Sequence, residues 1–374
     1  MTALSMKQKD DKTILLVGGG TGGPMAPLLA LAETIRELRP HIEFLVVGTK
    51  QGVEGRMAKV ASLPFVSVRA AKLNRFWSFK NLFSPFIFLV SLIESYKLLK
   101  KIRPLCVIGA GGFVQVPVMY VAWVIGIPVF IHQQDIVAGL ANKLCAPIAK
   151  RISVTFKKSL ADFPQSLHLA VSKPGTGRVV LTGNPCRKFK KVSKQKAMTH
   201  FGLDEKYPTL LVLGGGGGAL AINELVSGSA HELTRYMNVL HITGKGKGTG
   251  KHQIHRYKTV EFLDEMELAY AVADVVVSRA GLGTLTELAS LSLPAVLVPI
   301  PGSHQEQNAL YLREAYSVVM LDQRQLNSQN LVLFLRNLLF EQHLLTGLGR
   351  ALHQMFPDDA NQAVAKVVLG ALES

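Results

Sequence analysis

Three short stretches of this 374-residue sequence combine residue types able to hold and move a charged group. GGGTGG, Gly18 to Gly23, follows the aliphatic run ILLV and precedes a helical pattern. Backbone N–H groups in such a loop, at the positive end of a helix, suit a phosphate or pyrophosphate, and the same glycines also serve simply to let strand and helix pack closely. SRAGLGTLTE, Ser278 to Glu287, is the sharper cluster. Gly281, Leu282, Gly283 and Thr284 can set amides and a hydroxyl on a diphosphate, and Glu287, one helical turn beyond Gly283, can accept both hydroxyls of a ribose. Glu287 equally suits a first-turn acid favoured by the helix dipole. In VPIPGSHQEQNA, Val298 to Ala309, the residues His304, Gln305, Gln307 and Asn308 crowd imidazole and amide groups behind a Pro-Gly turn, which fits sugar hydroxyls or an ordinary polar loop.

Of two common nucleotide motifs, one matches weakly and one is absent. Gly18-x-Gly20-x-x-Gly23 has dinucleotide spacing, but the second strand, FLVVGTK, ends in Gly48, Thr49 and Lys50 without the acid that binds a ribose, and VLHITGKGK in the second half lacks one too. The Gly-Lys pairs at 244–245, 246–247 and 250–251 are never followed by Ser or Thr, so there is no P-loop.

The elements that must position these groups read as two similar halves. KTILLVGGGTGG and PTLLVLGGGGGA each give a short aliphatic strand, glycines and then a helical pattern, LLALAETIRELR in one and LAINELVSGSAHEL in the other. Further strands are expected at FLVVG, CVIGAGG, PVFIH and ISVTF, and then at VLHITG, VEFL, DVVVS and AVLVPI. Near-continuous apolar strands of this kind belong to parallel sheets covered on both faces, so the expected class is α/β, with two doubly wound Rossmann-like domains facing each other across a cleft. The join is expected near Leu181 to Arg187, giving a domain at 1–183, a second at 184–357, and a closing helix at 358–374 that the pattern assigns to neither.

Composition bounds the partners. Residues 1–183 hold 23 Lys and Arg against 9 Asp and Glu, and the remainder 19 against 17, so the anion-seeking surface belongs to the first half. Cys106, Cys145 and Cys186 form no CxxC, which points to a reduced, cytoplasmic protein. The polar amino terminus lacks a secretory signal, and the most lipid-like run, Leu82 to Ile93, is about a dozen residues against the ~20 of a spanning helix.

Taken together, GGTGG, GAGGFVQVP (109–117), IPVFIHQQDIVAGLANK (127–143), GNPCR (183–187), EFLDEM (261–266), SRAGLGTLTE and HQEQNA resemble, in order and spacing, the bacterial glycosyltransferases of the MurG family. The resemblance runs from about Ile14 to Tyr316. It implies a GT-B fold and an inverting transfer of GlcNAc from UDP-GlcNAc to undecaprenyl-pyrophosphoryl-MurNAc-pentapeptide, without metal or other cofactor. It places Thr21, Gly22 and Gly23 near the donor diphosphate and acceptor, Arg187 on the nucleotide side, and Gly216 where the family often has a serine beside the donor. It further places Leu263 at a backbone contact to uracil, Leu282, Gly283, Thr284, Leu285, Thr286 and Glu287 at the diphosphate and ribose, and Gln305, next to His304, at the donor sugar.

Two departures bear on the chemistry. Where the family has a histidine after GGTGG, a candidate base for the acceptor hydroxyl, this chain has Pro24, which suits a helix start but takes no proton. The usual HEQN reads His132-Gln133-Gln134-Asp135. Asp135 is therefore the expected base and His132 the second candidate. Their structural alternatives are a satisfied buried histidine and a cap on a helix beginning near Ala138.

Between Lys72 and Lys101, Arg75, Lys80, Lys97, Lys100 and Lys101 flank an aromatic and aliphatic block containing Phe76, Trp77, Phe79, Phe83, Phe86 and Phe88. This is the composition of an interfacial anchor on an anionic membrane surface, and of a core helix with a basic edge. The resemblance favours the first, at the cytoplasmic face of the cell membrane with a peripheral attachment; no nucleic-acid module appears. The alternatives to the expected activity are another GT-B lipid glycosyltransferase, a UDP-GlcNAc 2-epimerase and a non-catalytic UDP-sugar binder.

Overall fold

The computed structural model describes residues 12–20, 22–70, 84–164, 178–215, 218–248 and 254–373. These form two compact units, one comprising residues 1–134, 138–187 and 359–374, the other 135–137 and 188–358.

In the first unit, β1 (Thr13–Val17), β2 (Glu43–Gly48), β3 (Phe65–Ser67), β4 (Cys106–Gly109), β5 (Val129–Gln133), β6 (Arg151–Val154) and β7 (Val179–Leu181) form a parallel sheet in the order 3-2-1-4-5-6-7. Side chains alternate between the faces of a strand. Leu15 and Val17 enter one buried cluster with Val47, Val107 and Ile131, while Ile14 and Leu16 enter another with Val46, Ile108 and Phe130. Both faces are buried, which is why the sequence shows apolar runs rather than alternation. The helix Ala360–Glu373 adds Val364, Ala365, Val368 and Ala371 to the cluster around Ile14 and Leu16, so the closing helix belongs to this unit. Near its start, Asn361 accepts the Cys186 N–H and donates to the Cys186 carbonyl, each at 2.8 Å, fastening residues just before the crossing into the second unit.

In the second unit, β8 (Thr209–Leu213), β9 (Asn238–Ile242), β10 (Tyr257–Val260), β11 (Val275–Ser278), β12 (Ala295–Leu297) and β13 (Val319–Met320) form a parallel sheet in the order 10-9-8-11-12-13. The two doubly wound parallel sheets are those expected from the sequence, with local corrections. The strand expected at VEFL, residues 260–263, lies three residues earlier, at Tyr257–Val260. As an edge strand it leaves Lys258 and Thr259 exposed, so an aliphatic pattern does not mark it. LAINELVSGSAHEL divides into the helices Leu220–Gly228 and Ala230–Leu233. The edge strands β3, β7 and β13 are two or three residues long and carry no periodic signal.

Candidate active site

In the first sheet the chain order reverses between β1 and β4, and a crevice for ligands opens outside the carboxyl ends of strands at such a point. Val17 pairs with Gly109, so the loops 18–23 and 110–114 leave side by side. Gly112, at φ +91°, lies so close to the Gly19 carbonyl that a Cβ there would overlap it, which only glycine avoids. Gly22 is half-buried and Gly23 exposed; Thr21 lies outside the described residues. Pro24, at φ −61° and ψ −26°, directly precedes the helix Met25–Leu38, where its fixed φ continues into the helix and its missing N–H leaves no donor unpaired. Beneath this loop lies a carboxylate that sequence reasoning passed over: Glu54 Oε1 accepts the Gly20 N–H at 2.6 Å.

The end of β5 carries the two candidate bases, and the fold treats them differently. His132 is buried, with Nδ1 2.9 Å from Ser153 Oγ and Nε2 2.7 Å from Asn184 Oδ1. An amide oxygen only accepts, so Nε2 carries the proton and Nδ1 faces the serine hydroxyl. Burial lowers its pKa to about 4, against which the Asn184 hydrogen bond is the weaker effect. Sealed from solvent with both nitrogens engaged, His132 has the geometry of a structural histidine.

Asp135 is half-buried and clusters with the second unit. Asn308 Nδ2 donates to its Oδ1 at 2.9 Å, and Asn308 Oδ1 accepts the N–H of Ile136 at 3.0 Å. Burial raises the Asp135 pKa, opposed by the charge of His304 and by the Asn308 hydrogen bond. A carboxylate that keeps some exposure and is made more basic by its surroundings fits a proton acceptor. It is no helix cap: the helix here is Leu140–Cys145, and the Ala138 N–H is taken by Asp162 Oδ2 at 2.5 Å. Sequence reasoning had marked Asn308 within HQEQNA, but its pairing with Asp135, 173 positions away, left no local signal.

The second sheet has its own reversal, between β8 and β11, where Leu213 pairs with Ser278. The β11 loop leads into the helix Leu282–Ser290 through Gly281, an extended N-cap without a side chain, and no acid occupies the first turn. The amides of Leu282, Gly283 and Thr284, unpaired within the helix by geometry, are thus not closed off by a cap. Gly283, Thr284 and Glu287 are partly exposed, whereas Leu282, Leu285 and Thr286 turn into the core, Thr286 Oγ1 donating to the Leu282 carbonyl at 2.7 Å. Glu287 Oε2 accepts from Tyr270 Oη at 2.5 Å, and Tyr270 packs edge-on against Phe189 at 5.4 Å between ring centroids. Tyr270 lies on the preceding helix, and nothing in the sequence linked it to Glu287.

Before that helix lies Arg279, also missed in the sequence. It is 7% exposed and its Nη1 donates to the Val298 carbonyl at 2.7 Å, while its buried Nε meets no acceptor. No Asp or Glu pairs with it among the described residues, and burial lowers its pKa. A buried guanidinium without a counter-charge is costly unless an anion completes it. Ser303 caps the helix His304–Glu314, accepting the Gln305 N–H at 3.2 Å. His304 is exposed, and the Gln305 side-chain oxygen is buried without a hydrogen-bond donor. Leu263 is half-buried just before the helix Met266–Val272; beside it Phe262 lies under Lys245, 5.2 Å from Nζ to the ring centroid. Arg187 is exposed at the end of the first unit, and Gly216 lies outside the described residues.

Two doubly wound units with glycine loops at both switch points, one with an uncapped helix end, a carboxylate and a buried arginine, have the architecture of the GT-B nucleotide-sugar enzymes. Residues 14–154 match the glycosyltransferase family 28 N-terminal domain, and residues 209–362 its C-terminal domain. A Nocardioides protein named UDP-N-acetylglucosamine–N-acetylmuramyl-(pentapeptide) pyrophosphoryl-undecaprenol N-acetylglucosamine transferase is 33% identical over 364 residues, 95% of this chain and 97% of its own length. A Bacillus subtilis protein of the same name is 31% identical over 93% of this chain and 96% of its own. The crystal structure of Acinetobacter baumannii MurG superposes with a TM-score of 0.69 at 25% identity, covering 96% of this chain and 99% of that one. UDP-GlcNAc 2-epimerase from Neisseria meningitidis, bound to UDP-GlcNAc, gives 0.67 at 14% identity over 96% and 100%, a likeness of fold. The chain belongs to the family of these N-acetylglucosamine transferases.

Proposed function

We propose that this protein is an inverting transferase moving GlcNAc from UDP-GlcNAc to the lipid-linked N-acetylmuramyl-pentapeptide, the substrates in the names of its relatives. The observation that carries the reading is the second-unit cluster of uncapped helix amides, Arg279, Glu287 and the unpartnered Gln305 oxygen. Its parts answer the parts of the donor. The amides and Arg279 meet the diphosphate, Glu287 held by Tyr270 meets the ribose, and Gln305 takes a sugar hydroxyl as donor to its oxygen. In the reaction the acceptor hydroxyl oxygen bonds to the anomeric carbon, the bond from that carbon to the UDP oxygen breaks, and UDP leaves with the electron pair. Asp135 takes the hydroxyl proton, and the helix amides with Arg279 stabilise the charge growing on the departing diphosphate.

The first unit supplies the acceptor side. On the helix Ser84–Ile102, Ser91, Ser95 and Leu99 are buried, while Phe86 (69% exposed), Leu89 (55%), Ile93 and Tyr96 form an outward apolar stripe, with Lys97, Lys100 and Lys101 exposed near its end. The arrangement fits a peripheral seat on the cytoplasmic face of an anionic membrane, where a lipid-linked acceptor is found. The rest of the basic aromatic block, residues 71–83, lies outside the described residues. No described helix is long and apolar enough to cross a membrane.

Purified protein given UDP-GlcNAc and the lipid-linked muramyl-pentapeptide should release UDP and form the disaccharide-linked lipid. Turnover with a glycerolipid acceptor alone, epimerised UDP-sugar without any acceptor, or donor binding without transfer would each sink this reading.

A further inference from the structure

Glu54 opens the helix Glu54–Val60 and is 0% exposed, yet no ion pair neutralises it among the described residues. Its two oxygens have partners: Oε1 accepts the Gly20 N–H at 2.6 Å and Oε2 the Thr49 hydroxyl at 3.4 Å. The short amide bond holds Gly20 at φ +92°, where the loop turns outward from β1. The same helix supports the loop sterically, since a Cβ on Gly22 would stand 3.3 Å from Met57 Sδ and 3.7 Å from Val53 Cγ2. An internal carboxylate therefore engages the Gly20 amide, one N–H group of the loop, from below. Both oxygens are engaged and none of the residue reaches solvent, so it is poorly placed to exchange a proton with substrate.

We propose that Glu54 is the positioning residue of the first glycine loop: it fixes the Gly20 turn so that Gly22, Gly23 and Pro24 form a shaped wall for the acceptor sugar. The inference rests on the transferase reading. It explains how a loop without the family histidine retains a defined geometry, because the anchor is an amide bond from below. The side chain touches neither substrate and acts through Gly20.

The test uses full-length protein with Glu54→Gln, Glu54→Ala and Gly52→Ala. A Gln oxygen accepts the same amide bond without the charge. A methyl at Gly52 would overlap Glu54 Oε2, displacing the carboxylate while leaving it in the chain. Glu54→Ala and Gly52→Ala should lower kcat/KM for the lipid-linked acceptor by about 100-fold, the scale of an ångström-sized misplacement, with the KM for UDP-GlcNAc within about twofold of the parent. Glu54→Gln should restore activity to within about threefold and leave the pH–rate profile unchanged. Loss in Glu54→Gln equal to that in Glu54→Ala, or full activity in both Glu54→Ala and Gly52→Ala, overturns the proposal. Should the parent show no transfer, the transferase reading fails separately. Hydrogen exchange at the Gly20 amide then decides this one, faster in Glu54→Ala and unchanged in Glu54→Gln if it holds, equal in all three if it does not.

Discussion

At the carboxyl end of β1 the amide of Gly20 meets a buried carboxylate, Glu54; at the carboxyl end of β11 the chain turns into the helix Leu282–Ser290 beside a buried guanidinium, Arg279. The two sheets share a strand order around their first strands, and both put a loop at the reversal point. What differs is the charge beneath it. In the second unit the helix amides and the arginine add to a positive site, which favours a diphosphate. In the first, a carboxylate takes the Gly20 amide internally, so the buried group under the loop is an acceptor that orients the turn. Fold alone therefore does not assign the nucleotide to one unit, since identical topology carries either sign. Single buried side chains make the distinction.

The comparison can be broken by perturbing each side in turn. The largest effect is expected from Asp135→Asn, which keeps a partner for Asn308 but removes the base: kcat should fall about 1,000-fold with UDP affinity unchanged, measured by single-turnover assay and calorimetry. Equal kcat would remove Asp135 from the chemistry. Next, Arg279→Met should weaken UDP about 100-fold while the KM for the acceptor stays put, because of the two substrates the lost group meets only the donor's diphosphate. Thermal melting without ligand should show little loss or a gain, since a buried unpaired charge leaves with the side chain. Undiminished UDP affinity would erase the electrostatic contrast.

A third test treats the units alike. His132 in the first and His241 in the second are each lowered by burial to about 4 from a usual 6.5. The unfolded chain then takes up these protons before the native one does, so stability falls as pH drops from about 6.5 toward 4 and levels off below. Each histidine should cost its unit about 2 kcal/mol between pH 7.5 and pH 5, read from urea unfolding. A flat profile would mean that neither ring is buried neutral. Smallest, Glu287→Ala should weaken UDP about tenfold and Tyr270→Phe about threefold, since the first loses the ribose acceptor and the second only its orientation. Effects in the reverse order would place the ribose elsewhere.

Much of the second-unit site was legible because its members are neighbours in the chain. Gly281 to Glu287 and His304 to Asn308 are local clusters whose glycine, hydroxyl and amide content announces a turn with chemistry in it. Tyr270, Arg279 and Glu54 were not legible for different reasons. Tyr270 reaches Glu287 across 17 positions from another helix. Arg279 stands inside a quoted motif, yet no pattern reveals that it is buried without a counter-charge. Glu54 sits in a stretch, VEGRMAKV, that reads as a solvated helix start and is sealed only when the loop of β1 folds over it. Conversely His132, a chemical candidate by type and position, is closed off by Ser153 and Asn184, the second 52 positions away.

The sequence by itself determined the two doubly wound sheets and the placement of glycine loops after their first strands, because strand burial on both faces and glycine's freedom at positive φ are written residue by residue. Only the tertiary structure decided the unit to which the last helix belongs, the sign of charge under each loop, and which candidate base stays accessible. Those depend on partners brought together across tens to hundreds of positions, and burial, which sets the cost of a charge and the basicity of a carboxylate, exists only once the chain has closed around them.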